Sequence, residues 1–168
     1  EDWLEFRRGR LTSTELARLH TSRNAATWHE VRDAKENGSK FHGNQYTDWG
    51  SAREPLLAQV LIEEVDTRLT YNEDPQTIFL PDDERLSCTP DLYADDLEVI
   101  GEIKTSSRPF QGGRWHEWCP DNYYCQIQAN MHYVGAEACA LLVEVHEDFT
   151  PVALDHQTIT YDLSLIHI

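Results

Sequence analysis

The sequence has no long apolar run, no paired cysteines and no excess of basic residues, and each absence argues against a class of protein. Because no apolar run approaches the roughly 18 residues of a membrane span, and no charged and apolar leader opens the chain, we expect a cytoplasmic protein without a membrane partner. The cysteines at positions 88, 119, 125 and 139 form no C-x-x-C pair. Their spacing indicates no zinc or iron–sulfur centre, and we interpret them as reduced, mostly buried thiols.

The shortage of basic residues is uneven along the chain. A net charge of −16 argues against a nucleic-acid partner for the sequence as a whole. Residues 1–40 nevertheless hold eight Lys and Arg against seven Asp and Glu, whereas residues 41–168 hold six against 23. A local basic patch binds phosphate even on an acidic protein, although a solvated surface is the simpler interpretation of any single arginine. The early arginines are Arg7, Arg8, Arg10, Arg18 and Arg23.

The length of 168 residues fits one domain with its own core, and we predict a single domain over residues 1–168. The chain begins with Glu1 rather than Met and ends abruptly on SLIHI. We interpret these ends as a trimmed start and a truncated C-terminus.

Two capping boxes predict helices in the first 40 residues. In LTSTELARL, Thr12 and Glu15 have the spacing of a capping box, and Thr27 and Glu30 repeat it in TWHEVRDAKENG. The second helix is expected to end at Asn37-Gly38. The following GSKFHGNQYTDWG is rich in Gly and predicts a loop.

The strongest helical pattern runs from Ser51 to Leu69, with Leu57 and Leu61 one turn apart. Glu54 shares their face because it precedes Leu57 by three residues. A carboxylate on a buried face is costly unless it is paired. Alternatively, Glu54 lies in the first turn, where the helix dipole favours an acid, and local sequence leaves both interpretations open.

The remainder predicts strands TIFL, RLSCTPDLYA and LEVIGEIKTS, a helix, and two final strands ACALLVEV and PVALDHQTITYDL. The helix is expected over Asn122–Val134, with Asp121 as its cap and Gly135 as its stop. This order predicts a mixed α/β layer architecture. Two roles stay open for Trp115 and Trp118: stacking on unpaired bases, or covering the core.

The stretch CTPDLYADDLEVIGEIK carries the most chemistry. Side chains alternate along a strand, so Glu102 and Lys104 lie side by side on one face, with their backbone positions about 7 Å apart. Folding the chain at Asp95-Asp96 brings Asp91 beside Glu102. Two adjacent carboxylates with a lysine suit Mg²⁺, but a surface salt bridge explains the same residues. Glu54 upstream and the amides of YYCQIQ downstream favour the metal site.

Four blocks resemble, in order, the lambda-exonuclease/YqaJ-type viral recombinase family of the PD-(D/E)xK nucleases. They are WLEFRRGRLTSTEL, WGSAREPLLAQ, SCTPDLYADDLEVIGEIKTSS and PDNYYCQIQANMHYVG, which together span most of the chain. The resemblance implies an α/β restriction-endonuclease-like core, a central mixed β-sheet flanked by helices. Residues 48–163 would form the catalytic core, and residues 1–40 a helical part that binds a 5′-phosphate.

The resemblance also implies roles for individual residues. Asp91, Glu102 and the backbone carbonyl of Ile103 would hold one Mg²⁺ ion, and Asp91 with Glu54 a second, with Mn²⁺ able to substitute. Lys104 would position the nucleophilic water, and Gln126 would orient the site. The residues implied in 5′-phosphate or DNA binding are Arg7, Thr12, Thr14 and Arg108.

The function that this resemblance implies is a Mg²⁺-dependent DNA exonuclease. It would act on linear duplex ends in the 5′→3′ direction, in phage-type recombination, with a single-strand annealing partner and as a homotrimer. A PD-(D/E)xK endonuclease of restriction or resolvase type is the alternative enzyme, although an endonuclease needs no pocket for a DNA end. A catalytically silent DNA-binding relative and an acidic DNA mimic are the alternatives that are not enzymes.

Overall fold

The computed structural model describes residues 7–74 and 76–166. Trp3, which opens the first of the four blocks, and His167 and Ile168 at the chain's end lie outside the described residues. The helices are α1 (Ser13–Ser22), α2 (Ala25–Asn37), α3 (Gln45–Glu64), α4 (Asp121–Val134) and α5 (Leu163–Ile166). The strands are β1 (Leu11–Thr12), β2 (Leu69–Tyr71), β3 (Ile78–Leu80), β4 (Asp83–Cys88), β5 (Leu92–Ala94), β6 (Val99–Ser106), β7 (Ala138–Glu147) and β8 (Thr150–Thr160).

The larger sheet has the strand order β2-β5-β6-β7-β8, and a smaller sheet has the order β1-β4-β3. In the larger sheet β6 and β7 are parallel and the other neighbours are antiparallel. The prediction of a mixed α/β architecture is therefore confirmed. The apolar run ACALLVEV forms the interior strand β7, and β8 is an exposed edge strand. None of the helices in the described ranges is long and apolar enough to cross a membrane.

Helices α3 and α4 cover opposite faces of the larger sheet. Leu142 of β7 packs in one core cluster with Leu57 and Leu61 of α3. Its neighbour Leu141 packs in another cluster with Ile127 of α4. Successive side chains of a strand point to opposite faces, so this alternation separates the two helices. The α4 face is the one that carries Glu102 of β6.

Gly101 of β6 lies where α3 presses on the β5–β6 hairpin. A Cβ atom at this position would lie 2.9 Å from Cδ2 of Leu61 and 2.9 Å from Cβ of Leu92. Such contacts are closer than van der Waals packing allows. The absence of a side chain therefore sets how closely α3 approaches the sheet.

Helix boundaries differ from the sequence predictions where another cap is stronger. The capping box of Thr12 and Glu15 is confirmed at the start of α1. The second box is wrong, because α2 begins at Ala25 and Asn24 caps it by accepting from the N–H of Ala26. The predicted stop at Gly38 is confirmed, with a positive φ of 87°.

The helix predicted from Ser51 begins earlier and ends earlier. Asn44 caps α3 by accepting from the N–H groups of Tyr46 and Thr47, so the end of the predicted loop is helical. The residue Leu69, predicted as helical, instead starts β2. In α4, Asp121 is the first helical residue rather than the cap, and Gly135 ends the helix as predicted.

Candidate active site

The β5–β6 hairpin brings Asp91 and Glu102 together, as the sequence predicted. Leu92 pairs with Gly101 and Tyr93 with Ile100, so Asp91 follows on directly opposite Glu102. Asp91 Oδ2 also accepts a hydrogen bond of 2.7 Å from the backbone N–H of Ile103. The run RLSCTPDLYA that was predicted as one strand is two, since β4 and β5 belong to different sheets. The break between them falls at Thr89-Pro90-Asp91, immediately before β5.

Glu102 is a buried carboxylate with three side-chain donors. Only 2% of the residue is exposed. Its Oε1 atom accepts from Lys104 Nζ at 2.5 Å and from Gln126 Nε2 at 2.7 Å. Its Oε2 atom accepts from Asn130 Nδ2 at 3.0 Å. These bonds offset the cost of burying the charge and fix the plane of the carboxylate.

Asn130 is the contact that sequence reasoning missed. Gln126 and Asn130 are four residues apart on α4 and therefore lie one above the other on the same face. Gln128 lies elsewhere, as predicted, and bonds the carbonyl of Thr160 and the N–H of Asp162. The spacing of four from Gln126 was the available signal for Asn130.

Glu54 lies in the middle of α3, which excludes the interpretation that it sits in a first turn. Its Oε1 atom accepts from the hydroxyl of Tyr71 at 3.1 Å. Burial, and then the charge of Glu54 and this hydrogen bond, raise the pKa of Tyr71 to about 12. Tyr71 therefore stays protonated and holds the Glu54 carboxylate as a donor.

The electrostatics of the hairpin are those of crowded charge. Burial and the neighbouring Glu102 raise the pKa of Asp91 well above its ordinary value. Burial alone would lower the pKa of Lys104, but the charges of Glu102 and Asp91 outweigh it and raise the pKa above that of a free lysine. The two carboxylates thus share one cation, Lys104, whose charge offsets only part of the effect of burial and of Glu102 on Asp91.

These residues open into one cavity of about 510 Å³. It collects predicted residues that are far apart in the sequence: Arg7, Thr12, Thr14, Glu54, Asp91, Glu102, Lys104 and Gln126. Sequence reasoning missed four further wall residues that are hydroxyl-bearing: Ser13, Ser51, Tyr71 and Thr89. Arg108 is exposed beyond the end of β6 and is not part of this wall, so the prediction that it joins the pocket has no support in the structure.

The N-terminus of α1 borders the cavity through Thr12, Ser13 and Thr14. Thr12 Oγ1 accepts from the N–H of Glu15 at 3.3 Å, which leaves the hydroxyl hydrogen able to donate. A helix N-terminus presents backbone N–H groups and partial positive charge. This wall therefore suits an anionic group, and Arg7 lies on it as well.

The early arginines serve different surroundings. Arg8 and Arg10 line a neighbouring groove of about 360 Å³ with Lys35 and Arg85. Arg18 forms an ion pair with Glu30 on the surface. Of the five early arginines that the sequence singled out, only Arg7 is on the wall of the cavity described above.

Trp115 and Trp118 pack against the core. Trp115 stacks on His20 with ring centroids 5.3 Å apart, and the guanidinium of Arg114 lies 4.2 Å from its centroid. Trp118 contacts Phe110 at 5.4 Å between centroids. Both tryptophans are partly buried against the core cluster beneath α4. Of the two roles left open by the sequence, the packing supports the cover.

The donor set of the cavity fits a divalent cation of the oxygen-preferring kind. No ready-made group of three His, Cys, Asp or Glu side chains occurs within residues 7–74 and 76–166. Asp91 and Glu102 nevertheless supply adjacent carboxylates that share one cation, Lys104. Glu54 adds a third carboxylate to the same wall.

Solved structures of exonucleases share this fold. An alkaline exonuclease from Laribacter hongkongensis, LHK-Exo, is 19% identical, with a TM-score of 0.70, over 99% of this chain and 84% of that one. The complex of LHK-Exo with dAMP gives a TM-score of 0.68 at 20% identity, over 99% and 85%. A phage-related exonuclease from Haemophilus somnus 129PT gives 0.71 at 16% identity, over 94% and 87%. None of the curated protein sequences matches this chain significantly.

The fold is therefore the one that these exonucleases have, a mixed central sheet flanked by helices, which is consistent with the predicted restriction-endonuclease-like core. A family model described as the YqaJ-like viral recombinase domain matches residues 2–137, and the chain belongs to this family. The predicted resemblance is confirmed.

Proposed function

We propose that the protein is a Mg²⁺-dependent DNA exonuclease that hydrolyses phosphodiester bonds from the ends of linear duplex DNA. The observation that carries the proposal is the single cavity that joins the Asp91–Glu102–Lys104 hairpin to Arg7 and the N-terminus of α1. A reaction centre beside an anion-binding wall is what an enzyme that starts at a phosphorylated end requires. Family membership and the shared exonuclease fold support the same class.

Asp91, Glu102 and the carbonyl oxygen of Ile103 would hold one Mg²⁺ ion, and Glu54 with Asp91 a second. Bound there, the metal would supply positive charge to the phosphate oxygens and acidity to water. The Gln126 amide holds Glu102 Oε1 and so keeps this carboxylate oriented. The Tyr71 hydroxyl does the same for Glu54.

Lys104 would act through its positive charge, because burial disfavours that charge but Glu102 and Asp91 outweigh burial and raise the pKa of Lys104. It lies on the cavity wall with one donor bound to Glu102, and an ammonium group has two further hydrogens. These orient a water molecule and stabilise the negative charge that develops on the phosphate. Attack by water forms a P–O bond and breaks the bond from phosphorus to the leaving 3′ oxygen.

The part of the cavity wall formed by Arg7 and the N-terminus of α1 would set the direction of the reaction. Arg7 offers a bidentate donor pair, and Thr12 and Thr14 offer hydroxyl groups at the N-terminus of α1. A 5′-phosphate bound there would place the next phosphodiester at the carboxylates, which gives 5′→3′ degradation. Each cleavage leaves a new 5′-phosphate on the DNA, so the same wall serves the following cycle.

Family membership supports a role in phage-type recombination. Resection of a duplex end leaves a single-stranded tail, which suits recombination by single-strand annealing together with an annealing protein. We place the activity in the cytoplasm of a bacterial or phage-infected cell. A homotrimer is the proposed assembly, which light scattering of the purified protein would test.

The decisive experiment compares linear duplex DNA, labelled at either end, with closed circular DNA in Mg²⁺ and in EDTA. Mononucleotides released from the 5′ end of linear DNA, in Mg²⁺ only, are the expected result, and the matched Lys104→Ala variant should release none. Nicking of the circle would support the endonuclease alternative instead. Binding without cleavage, equal in the protein and in Lys104→Ala, would support the silent relative.

A further inference from the structure

We infer that Asn130 is a positioning residue of the catalytic centre, which holds the second oxygen of Glu102 in place for the metal ion. The inference rests on the proposed function, since it concerns how the same site binds its cation. It follows from the hydrogen bonds around Glu102 and from the surroundings of Asn130.

The donors of Glu102 are divided between its two oxygens. Lys104 and Gln126 both donate to Oε1, whereas Asn130 donates to Oε2. With one amide on each oxygen, spaced by one turn of α4, the carboxylate cannot rotate about its terminal torsion. Without Asn130, both remaining side-chain donors would bind Oε1, and no side chain would hold Oε2 in position.

The orientation of the Asn130 amide is fixed by the charge that it faces. A flipped amide would turn its oxygen toward the Glu102 carboxylate, which repels it, so Nδ2 points at Oε2. The backbone of Asn130 is held as well, since its carbonyl accepts from Cys88 Sγ at 3.9 Å. The donor is therefore presented from a rigid part of the core.

Burying the Asn130 side chain costs free energy that packing alone would not justify. Asn130 is 1% exposed, and within the described part of the chain its Oδ1 atom has no hydrogen-bond partner. A buried polar atom without a partner costs about 1–3 kcal/mol. An apolar side chain would avoid that cost, so the Nδ2 donor to Glu102 is the property that this position supplies.

The test replaces the amide by an apolar group of similar size and measures metal binding without DNA. Asn130→Leu removes the donor, and the matched control is Gln128→Met on the same helix. Gln128 is equally buried at 1%, but its amide bonds Thr160 and Asp162 rather than Glu102. The readouts are Mn²⁺ affinity by electron paramagnetic resonance, kcat and KM for linear DNA, and thermal unfolding in EDTA.

We expect Asn130→Leu to weaken Mn²⁺ binding by about 10- to 100-fold, the range for residues that orient metal ligands. The value of kcat should fall at subsaturating metal while KM for DNA stays unchanged. Gln128→Met should bind Mn²⁺ with its affinity unchanged, even if it unfolds at a lower temperature. If Asn130→Leu does not fold, Asn130→Ala is measured in the same way.

Two results would overturn the inference. A folded Asn130→Leu or Asn130→Ala variant with unchanged Mn²⁺ affinity would reduce Asn130 to a packing residue. An equal loss of affinity in Gln128→Met would show a general effect of loosening α4. If the unchanged protein itself binds no Mn²⁺, the proposed function fails, which is a different outcome from either.

Discussion

Two buried glutamates on neighbouring parallel strands show how differently the same fold treats a carboxylate. Glu102 of β6 and Glu144 of β7 are each only 2% exposed. Glu144 is fully matched by Arg53, whose Nε and Nη2 atoms donate to both of its oxygens. Glu102 shares a lysine with the adjacent Asp91 and is otherwise held by neutral amides.

The two glutamates differ in the charge of their partners and in whether they line a cavity. Arg53 closes Glu144 with one full positive charge in a bidentate pair. Around Glu102, two carboxylates face one cation, Lys104, beside a cavity, and burial together with the charge of Glu102 raises the pKa of Asp91. A buried acid alone therefore does not mark a site; an acid that its neighbours orient without neutralising does.

The largest expected effect is a loss of activity on substitution of Glu102, the glutamate that lines the cavity. Glu102→Gln keeps the shape of the side chain but removes a metal ligand, so cleavage should fall about 10³-fold, equivalent to about 4 kcal/mol of barrier. Rates of mononucleotide release from linear DNA measure it. If Glu102→Gln cleaves at an unchanged rate, Glu102 and Glu144 do not differ in the way described here.

Substitution of Glu144, which is paired with Arg53, should lower the stability of the protein rather than its activity. Glu144→Gln leaves the guanidinium of Arg53 without its charged partner. We expect a loss of about 2 kcal/mol in the free energy of unfolding, the range for hydrogen bonds to charged groups. Urea denaturation gives this value, and the cleavage rate of the folded variant should stay near that of the unchanged protein. A large loss of activity at full stability would contradict the comparison.

The arginines extend the comparison to cations. Arg53 is fixed on Glu144, whereas Arg7 lies on the wall of the cavity that holds Glu102. Arg7→Ala should reduce the preference for 5′-phosphorylated over 5′-hydroxyl ends about tenfold, or about 1.4 kcal/mol. Arg108→Ala, outside the wall, is the matched control and should leave that preference unchanged. Competition between the two kinds of labelled end measures both variants.

The smallest effect is a dependence of stability on pH. Because the pKa of Asp91 is raised in the folded protein, folding takes up a proton there. Stability therefore falls as the pH rises from the usual pKa of aspartate, about 3.9, through the raised value. Asp91→Asn has no such charge, so in EDTA it should have the higher Tm at about pH 8 and a smaller advantage at about pH 4. Thermal unfolding at both values measures this, and a lower Tm for Asp91→Asn at about pH 8 would count against it.

Local patterns predicted the hairpin and missed what depends on distant contacts. Asp91 and Glu102 were placed correctly because strand alternation and the Asp95-Asp96 turn are local. The start of α3 was missed because Gly43 and Gly50 read as loop, while the Asn44 cap outweighs them. Glu54 stayed ambiguous for the same reason, since its interpretation depended on where the helix begins.

Other errors reflect the tertiary structure. Leu69 continues the helical spacing of apolar residues, yet it pairs with Ala94 and begins β2. The spacing of four from Gln126 is the one local signal for Asn130, and it acquires meaning only once Glu102 is known to lie opposite that face of α4. Arg108 is exposed beyond the end of β6 and does not line the cavity, and its part in binding DNA stays a prediction.

Gly101 determines how closely α3 packs against the β5–β6 hairpin. Since a Cβ there would meet Leu61 of α3 and Leu92 of the hairpin at 2.9 Å, the missing methyl group sets the gap between two layers. Glu54 belongs to the helix and Asp91 to the hairpin, so the same gap sets how far apart their carboxylates stand. Gly101, which is not among the residues that line the cavity, thereby sets the distance between two acidic side chains that do line it.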